Sequence, residues 1–564
     1  MPIRKIGAIG KTYRHIDRYS AIIGVFLKYG FGDLVAKLNL SRYLEMGKNL
    51  IMKTDQPPPK SQSRAERVRL AFEELGPTFI KFGQIMSTRP DLIPAEFITE
   101  LTRLQDTVPP FEPEAATAII QSELKRTPEE VFDLFQTTPF ASASIAQVHR
   151  AVLPDGEEVA VKIQRPEIKK LIETDLEIML HLASLAERYI EGWEAIHPVG
   201  MVKEFSRAII KELDFTLEAV NIDRLAFYFQ DDFTCYVPKV YRELSTDKIL
   251  VMELVHGVKV SELPPDEEAG YDRREIASRG ADLILRQIFE HGLFHGDPHP
   301  GNIFILEGNV VCFLDYGLMG SLGQDFRENF GEMMVAVVEQ DSPKTARCLL
   351  KLTEKEYVAD FAALERDVRD IIGRYFHPPV TQQIIGPVLN RLIHLLIDHG
   401  LTLKADFHLL VKAMVTIEGV ARQLCPDFDM MSRLRPFAAY LVAQRMSPAR
   451  ITADLAETSL DLMRLLAEFP SQARDIIAQL RSGRMSITYH HQGLEPLMET
   501  HDRMSTRVSF AIVLAAIIIS SSLIILAELP PLVHGIPVIG LIGFSVAGVI
   551  GFWLLISIMR RGKL

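Results

Sequence analysis

The feature that most restricts the fold of this chain is a pair of long uncharged apolar segments near its C-terminus. Val508 to Ala527 is 20 residues long and Ile536 to Met559 is 24, and neither contains a charged side chain. A helix of about 20 residues spans the hydrocarbon core of a bilayer. Inside lipid the backbone has to satisfy its own hydrogen bonds, which favours helices. The sequence therefore predicts transmembrane helices at 508–527 and 536–559, joined as a hairpin by residues 528–535.

The charges beside these segments predict their orientation. The basic residues that flank them are Arg503, Arg507, Arg560, Arg561 and Lys563, whereas the linker 528–535 has no Lys or Arg. Positively charged flanks stay on the cytoplasmic side of a membrane. We therefore expect both termini and everything before residue 508 to be cytoplasmic, with the linker on the outside.

Small residues recur along the second apolar segment. Gly543, Ala547 and Gly551 lie four residues apart, which places them on one helical face. Such a stripe lets two helix backbones approach closely. The contact is expected either within the hairpin or between two chains, and the second case would make the protein a homodimer through its transmembrane helices.

The N-terminal segment, residues 1–60, is basic in an otherwise acidic protein. Residues 1–50 hold nine Lys or Arg against three Asp or Glu, while the whole chain has a net charge of −11. Apolar residues between Tyr13 and Phe26 recur at helical spacing. Two interpretations remain open: a basic amphipathic helix lying on an anionic membrane, or an ordinary helix packed on its own domain. The overall negative charge argues against nucleic acid as a partner.

Between the two ends the periodicity changes twice. A polar, Pro-rich break at residues 54–63 precedes a helical region at 61–138. Residues 139–258 contain period-two patterns around a Pro-Asp-Gly turn, typical of a small antiparallel sheet. Residues 259–500 are again mainly helical, with one short hairpin at 303–314. This order predicts an α+β fold.

The most informative segment for chemistry is His295-Gly-Asp-Pro-His-Pro-Gly-Asn302, here called the HGD loop. Asp297 and Asn302 are five residues apart in it, and the predicted hairpin that follows returns Asp315 to the same place. Phosphoryl transfer from ATP needs a carboxylate that orients or deprotonates the acceptor, together with oxygen ligands for Mg²⁺. We therefore predict Asp297 as the catalytic residue and Asn302 and Asp315 as the metal ligands.

A lysine in an apolar strand complements this set. In Val159-Ala-Val-Lys162 the side chains of Ala160 and Lys162 share one face of the predicted strand. A lysine there needs a negative partner, which the phosphates of a nucleotide would supply. Lys162 is thus the predicted phosphate clamp.

Six motifs in a fixed order resemble the UbiB/AarF family of atypical protein-kinase-like proteins. They are Lys-Phe-Gly-Gln (81–84), Pro-Phe-Ala-Ser-Ala-Ser-Ile-Ala-Gln-Val-His (139–149), Val-Ala-Val-Lys (159–162), Glu-Leu-Asp-Phe-Thr-Leu-Glu-Ala (212–219), the HGD loop and Asp-Tyr-Gly (315–317). The resemblance covers roughly residues 60–340 and, with the terminal hairpin, nearly the whole chain. It implies a bilobal protein-kinase-like fold, binding of ATP and Mg²⁺, and a role in ubiquinone production at the bacterial inner membrane.

The resemblance also assigns further residues. It implies that residues 61–138 form an N-terminal extension in which Lys81 and Gln84 cover the site. Residues 139–258 would then form the N-lobe, and residues 259–500 the C-lobe with a C-terminal extension. Glu253 and Val255 belong to the segment that links the lobes and binds adenine. As the partner of Lys162, Glu212 is the first choice and Glu218 the second, since periodicity does not decide between them.

One motif departs from ordinary kinases. Where a kinase has a Gly-rich loop over the phosphates, residues 140–148 contain no glycine. Side chains with a Cβ restrict close backbone approach. The nucleotide is therefore expected to be held by backbone amides in a helix-like turn and by Ser hydroxyls. The residues predicted for this role are Ala141, Ser142, Ala143 and Ser144.

Three functions follow from these patterns. The first is a membrane-anchored ATP-dependent phosphotransferase or ATPase in quinone biosynthesis, with membrane lipids and quinone-biosynthesis enzymes or lipid intermediates as partners. The second is a non-catalytic, nucleotide-gated protein that binds lipid or quinone precursors. The third, a small-molecule antibiotic or choline kinase, is disfavoured by the apolar hairpin and by the motif at 81–84.

Overall fold

The computed structural model describes residues 17–38, 62–87, 89, 92–104, 108–190, 192–193, 197–264, 270–354, 358, 360–376, 385–445, 463, 474, 495–527, 530–533 and 536–561. The chain divides into two compact units, Met1–Asp454 and Leu455–Leu564. Residues 1–16 of the basic segment and most of the Pro-rich break lie outside the described residues.

The described part of the basic N-terminal segment packs on its own domain. Residues 17–28 are helical and are followed by α1 (Gly32–Lys37). Ile22 and Ile23 are fully buried in the main core. The Arg18 Nε donates to the buried Asp175 carboxylate at 2.6 Å. For residues 17–38 the structure therefore shows ordinary helices packed on their own domain.

The helical extension begins with two helices that a single glycine separates. The helices before the first strand are α2 (Arg64–Leu75), α3 (Pro77–Met86), α4 (Ala95–Leu101), α5 (Pro113–Leu124) and α6 (Pro128–Val131). Ser63 caps α2 by accepting a hydrogen bond from the Glu66 amide. Gly76 has a φ of +94°, which glycine adopts readily. Pro77 then starts α3 as the sequence predicts, because its fixed φ suits the first helical position.

Helix α3, which contains Lys81 and Gln84, packs closely on α2 and α4 through Gly83. A methyl group at Gly83 would lie 2.3 Å from Cδ1 of Leu104 and 3.0 Å from Cδ2 of Phe72. Both distances are shorter than ordinary contacts between carbon atoms. Only glycine therefore allows this approach, which fixes the face of α3 that carries Lys81.

The N-lobe is built on a five-stranded antiparallel sheet. Its strands are β1 (Leu134–Phe135), β2 (Ala141–Ser142), β3 (Ala146–Val152), β4 (Glu158–Gln164) and β6 (Ile249–Glu253), in the order β1-β3-β4-β6 with β2 also paired to β3. Val159, Val161 and Ile163 are fully buried in a core shared with α5. The predicted β3–β4 hairpin is thus confirmed. The sheet starts before residue 139 because β1 pairs with Ala151 and Val152.

Three helices follow the hairpin before the chain returns to the sheet. They are α7 (Ile168–Tyr189), α8 (Pro198–Glu212) and α9 (Phe215–Tyr228), and the short strand β5 (Cys235–Tyr236) comes after them. Helix α8 ends at Glu212, and Asp214 caps α9 by accepting a hydrogen bond from the Thr216 amide. The motif at residues 212–219 is therefore split between two helices.

The C-lobe combines small sheets with a large helical core. Its strands are β7 (Val258–Lys259), β8 (Leu293–His295), β9 (Ile303–Leu306), β10 (Val310–Phe313) and β11 (Met319–Ser321). Its helices are α10 (Arg273–Arg286), α11 (Gln324–Val338), α12 (Ser342–Lys351), α13 (Phe361–Phe376), α14 (Ile385–Asp398), α15 (Ala405–Leu424) and α16 (Met430–Arg445). The predicted hairpin is the β9–β10 pair, with Phe313 opposite Ile303. It projects the HGD loop and Asp315 from one end.

The second unit contains two helices and, between them in sequence, a pair of two-residue strands. These are α17 (Glu495–Leu526) and α18 (Val538–Arg561), separated by β12 (Leu532–Val533) and β13 (Ile536–Pro537). In the part of the chain that the structure describes, Val508–Leu526 has the length and mean hydropathy, 2.7, of a membrane span, and Val538–Phe552 is a shorter apolar stretch. One candidate span is therefore supported, and the expected two-span hairpin is not confirmed.

The small residues of α18 face α17. Gly543 lies against Ser521, Gly551 against Leu514, and Ala547 is buried. The predicted close contact is thus made within the helix pair. Association of two chains through these helices stays a prediction.

The close approach at Gly83 generates a stability prediction. Gly83→Ala should destabilise the protein by about 1–3 kcal/mol, because the added methyl overpacks the contact with Leu104 and Phe72. Urea unfolding of detergent-solubilised protein, followed by tryptophan fluorescence and circular dichroism, measures this.

Gly419→Ala is the matched control, since Gly419 lies within helix α15 and a methyl group there meets nothing within 4 Å. That variant should gain about 0.5–1 kcal/mol from its helix propensity. Equal effects of the two substitutions would contradict the packing argument.

Candidate active site

A buried ion pair lies at the centre of the site. Strand β4 directs Lys162 inward, where its Nζ lies 2.8 and 2.9 Å from the two carboxylate oxygens of Glu218. The same Nζ lies 3.3 Å from Oδ1 of Asp315. The Lys162 and Glu218 side chains are 14% and 5% exposed. The Lys162 ammonium therefore connects the N-lobe sheet to helix α9 and to Asp315, which follows the β9–β10 hairpin.

The choice of Glu212 as the partner of Lys162 is wrong, and Glu218 takes that place. Glu212 is the last residue of α8, whereas Glu218 lies in the first turn of α9. Because the chain changes direction between these helices, a single helical period does not relate the two glutamates. Glu212 instead pairs with Lys81 Nζ at 2.7 Å.

These contacts favour the charged forms of Lys162 and Asp315. Burial alone would lower the pKa of Lys162, but the Glu218 and Asp315 carboxylates raise that pKa above its usual range. The Lys162 ammonium lowers the pKa of Asp315 well below the ordinary value, and Lys81 adds to this lowering. Both groups are therefore ionised at neutral pH.

A buried histidine organises the HGD loop. His295 is fully buried, and its Nδ1 accepts a hydrogen bond from the Asp297 amide at 3.1 Å. The proton therefore resides on Nε2, which donates to the Leu314 carbonyl at 3.1 Å. Burial lowers the pKa of His295 and keeps this neutral form. The ring thus links the Asp297 amide to the Leu314 carbonyl, which directly precedes Asp315.

The β9–β10 hairpin brings the predicted metal ligands to one place. The Leu314 amide donates to the Asn302 carbonyl at 2.8 Å, so Asn302 lies across from the residue before Asp315. Asp315 has a φ of +61°, an uncommon conformation for a residue with a side chain. Asn221 of α9 holds the next residue through the Tyr316 carbonyl at 3.2 Å. The backbone is therefore specifically shaped around the Asp315 carboxylate.

This donor set fits Mg²⁺. A carboxamide and an ionised carboxylate are oxygen ligands of the kind that Mg²⁺ uses together with substrate phosphates and water. Among the described residues, no group of three or more His, Cys, Asp or Glu side chains is arranged to hold a metal ion. Asn302 and Asp315 are thus the residues that would hold it beside the phosphates.

The glycine-free loop of the N-lobe forms a tight turn between β2 and β3. The Ala143 amide donates to the Ala146 carbonyl at 2.8 Å. The Ser142 hydroxyl donates to the Val108 carbonyl at 2.7 Å and accepts from Arg165 at 2.8 Å. The loop is therefore a hairpin turn and not the expected helix-like turn, and the Ser142 hydroxyl stabilises the loop itself.

The other two residues expected in this loop have different surroundings. Ala141 pairs with Val148 across the hairpin. Ser144 is fully buried, and its hydroxyl has no hydrogen-bond partner among the described residues. Their contact with a nucleotide stays a prediction.

The extension residues reach the same region. Lys81 pairs with Glu212 and is close enough to lower the pKa of Asp315. The Gln84 Nε2 donates to the Leu104 carbonyl at 3.2 Å, which secures α3 to the segment that follows α4. Lys81 therefore faces the site, and Gln84 holds the helix that presents it.

The lobe-linking segment follows β6. The Glu253 amide donates to the Lys239 carbonyl at 2.8 Å, and its carboxylate accepts from the Tyr236 hydroxyl at 2.6 Å. Val255 follows it between β6 and β7, which belong to the two different sheets. The position agrees with a link between lobes, and adenine binding there stays a prediction.

Sequence reasoning missed one residue of the site. Lys412 of helix α15 places its Nζ 3.1 Å from Oδ2 of Asp297. It lies 115 residues beyond Asp297 on an amphipathic helix without a motif, so no local signal in the sequence could have identified it. The tertiary fold alone brings the two residues together.

Comparisons with known proteins identify the family of the chain. Three family models match: the ABC1 atypical kinase-like domain at residues 103–349, the UbiB helical domain at 368–429, and the ABC1/UbiB kinase-like C-terminal domain at 492–560. Lys412 lies within the second of these regions.

Individual proteins also match the chain. A "Probable protein kinase UbiB" of Pseudomonas entomophila is 34% identical over 82% of this chain and 87% of its own length. An uncharacterized protein from the hydrogenase 1 5' region of Clostridium pasteurianum is 33% identical over 97% of this chain and all of its own. A solved Mycobacterium tuberculosis protein, in complex with erythromycin, covers 64% of this chain and 90% of its own with 24% identity and a TM-score of 0.45.

The two glutamates generate a direct test of the ion-pair assignment. Glu218→Gln should destabilise the protein by about 3 kcal/mol, because it leaves the buried Lys162 ammonium without its main counter-charge. Glu212→Gln should cost less than about 1 kcal/mol, since its pair with Lys81 is more exposed. Denaturant midpoints of both variants measure the difference, and the opposite ranking would refute the assignment.

Proposed function

The chain belongs to the UbiB family of ABC1 atypical kinase-like proteins, and from this premise we propose that it is a membrane-anchored, ATP-dependent atypical kinase or ATPase that supports ubiquinone (isoprenoid quinone) biosynthesis. The observation that carries the proposal is the convergence of Lys162, Glu218 and Asp315 beside the HGD loop. In protein kinases a strand lysine that pairs with a helix glutamate contacts the phosphates, beside an aspartate that holds Mg²⁺.

Each side chain has a defined task in this proposal. Lys162, held in position by Glu218, contacts the phosphates. Asn302 and Asp315 hold Mg²⁺, and Asp297 orients the attacking hydroxyl or water. Bound Mg–ATP supplies the phosphoryl group. The His295 ring keeps the HGD loop and the Asp315 segment at a constant separation through its two hydrogen bonds.

The surroundings of Asp297 favour a small acceptor over a protein chain. The extension brings Lys81 to Glu212 at one side of the site. Helix α15 brings Lys412 to Asp297 itself. An extended peptide would have to displace both contacts, whereas water or a small lipid-like molecule needs less space. ATP hydrolysis, or transfer to such a molecule, is therefore the preferred reaction.

The apolar C-terminal unit supports the membrane part of the proposal. The residues of Val508–Leu526 are largely exposed in the structure, with only 6% of the apolar window buried. Exposed apolar surface of this extent is stable in contact with lipid. We assign the protein to the bacterial inner membrane, with its kinase-like unit in the cytoplasm and lipid or quinone intermediates as its partners.

A non-catalytic alternative has one observation in its favour. Lys412 already engages Oδ2 of Asp297, so only one of the two carboxylate oxygens is left for an acceptor in this conformation. A protein that only binds nucleotide would use ATP to change conformation and to present hydrophobic precursors to other enzymes. The two functions differ in whether turnover depends on Asp297.

ATP hydrolysis by the full chain in cardiolipin-containing liposomes tests the proposal. Wild type should hydrolyse ATP and should be stimulated by a quinone-precursor mimic. Asp315→Asn should lower the rate by about 100-fold or more, since it removes the only charged metal ligand of the predicted set. A flat response of the wild type to the mimic would count against the quinone role.

Asp297→Asn separates the two functions. If the protein is an enzyme, this variant should lose turnover while calorimetry still detects Mg-dependent nucleotide binding. If it is a nucleotide-gated binder, the variant should support quinone production in cells as well as wild type does. Quinone content of a complemented deletion strain decides between them.

A further inference from the structure

One contact that the proposed function does not explain joins the HGD loop to helix α15. Asp297 is the residue with the predicted chemical role, yet its carboxylate is held by a side chain from helix α15 and not by its own loop. Residues 298–301 are Pro-His-Pro-Gly, so the loop contains no Lys or Arg that could face Asp297. His299, within it, accepts a hydrogen bond from the Gly301 amide and so serves the local turn.

Two independent restraints act on Asp297. Its backbone amide donates to His295 Nδ1, which sets where the residue lies. Its Oδ2 contacts the Lys412 ammonium, which selects the direction of the carboxylate. With Oδ2 engaged, Oδ1 is the oxygen left to accept a proton or a hydrogen bond from an acceptor. The pair therefore fixes the orientation of the carboxylate.

Helix α15 is rigidly placed against the loop. A methyl group at Gly296 would lie 2.7 Å from Cδ1 of Leu409, so the helix and the residue before Asp297 are in direct contact. Leu409 and Lys412 are three residues apart and share one helical face. The opposite side of α15 is anchored in the core, where Phe407 is fully buried and its ring lies 5.9 Å from that of Phe330. Lys412 is thus presented by a fixed element and not by a loop.

We infer that Lys412 is a positioning residue, through which the helical domain completes the active site by orienting the Asp297 carboxylate toward the acceptor. This inference rests on the proposed function and adds to it the origin of the orienting charge. A carboxylate that is misdirected by about 1 Å loses much of its effect on rate. The pair itself is partly exposed, so its loss should have little effect on folding.

Lys412→Met tests the inference, because it keeps the length of the side chain and removes its charge. In full-length protein in cardiolipin-containing liposomes, kcat for ATP hydrolysis should fall about 10- to 100-fold, while KM for Mg–ATP stays within about twofold. Lys412→Arg should recover most of the rate. In an Asp297→Asn background, Lys412→Met should change the rate by less than about twofold, because the carboxylate it orients is gone.

Lys344→Met is the matched control. Lys344 pairs with Glu332 at 3.7 Å on helices α12 and α11, with exposure similar to that of the Lys412 pair but outside the site. Its kcat should equal that of wild type. Unfolding midpoints of the two Met variants should be alike, which separates an effect on the site from an effect on folding.

The outcomes distinguish this inference from the proposed function. An active wild type with an inactive Asp315→Asn variant, but with Lys412→Met at or above the wild-type rate, would overturn the role of Lys412 and leave the proposed function standing. A lower rate that Lys412→Arg does not recover, or a matching rise in KM, would also overturn it. A wild type without any turnover would reject the proposed function, and the positioning role with it.

Discussion

The structure depends on one buried lysine and the two carboxylates that neutralise it. An ammonium in the middle of an apolar strand is costly unless it is paired. Glu218 supplies the main pairing from helix α9, and Asp315 supplies the second from the far lobe. Because these carboxylates come from separate elements, the charge on Lys162 requires the N-lobe sheet, the helix and the hairpin mouth to meet at one point. The geometry of the site follows from that requirement.

Contacts from outside the bilobal core extend this arrangement. Lys81 arrives from the N-terminal extension and Lys412 from the helical domain, each against a different carboxylate of the site. Together with Lys162 they give three ammonium groups near four carboxylates, those of Glu212, Glu218, Asp297 and Asp315. The excess of one negative charge is small for a site that is proposed to hold a metal ion beside a polyphosphate. Both added regions therefore contribute to the electrostatic balance of the site as well as to its shape.

Much of this could be predicted from sequence because it is local. The two hairpins were predicted from alternating patterns, and the meeting of the HGD loop with Asp315 followed from the turn between β9 and β10. The partner of Lys162 was predicted incorrectly because the break after Glu212 places two glutamates on different helices, which periodicity does not show. Lys412 could not be predicted, since its contact with Asp297 depends on how a distant helix packs. The hydrogen bond between Arg165 and Ser142 was not predicted either, because the two residues lie 23 positions apart in the chain.

The break between α8 and α9 connects two ion pairs of the site. Only Leu213 and Asp214 separate the helix that ends with Glu212 from the helix that carries Glu218. Glu212 pairs with Lys81 of the extension, and Glu218 pairs with Lys162 of the N-lobe sheet. The two-residue connection therefore lies between two ion pairs. Because Leu213 and Asp214 form the whole connection, the position of each glutamate restricts the position of the other. The strand lysine and the extension lysine are thereby held at a limited separation.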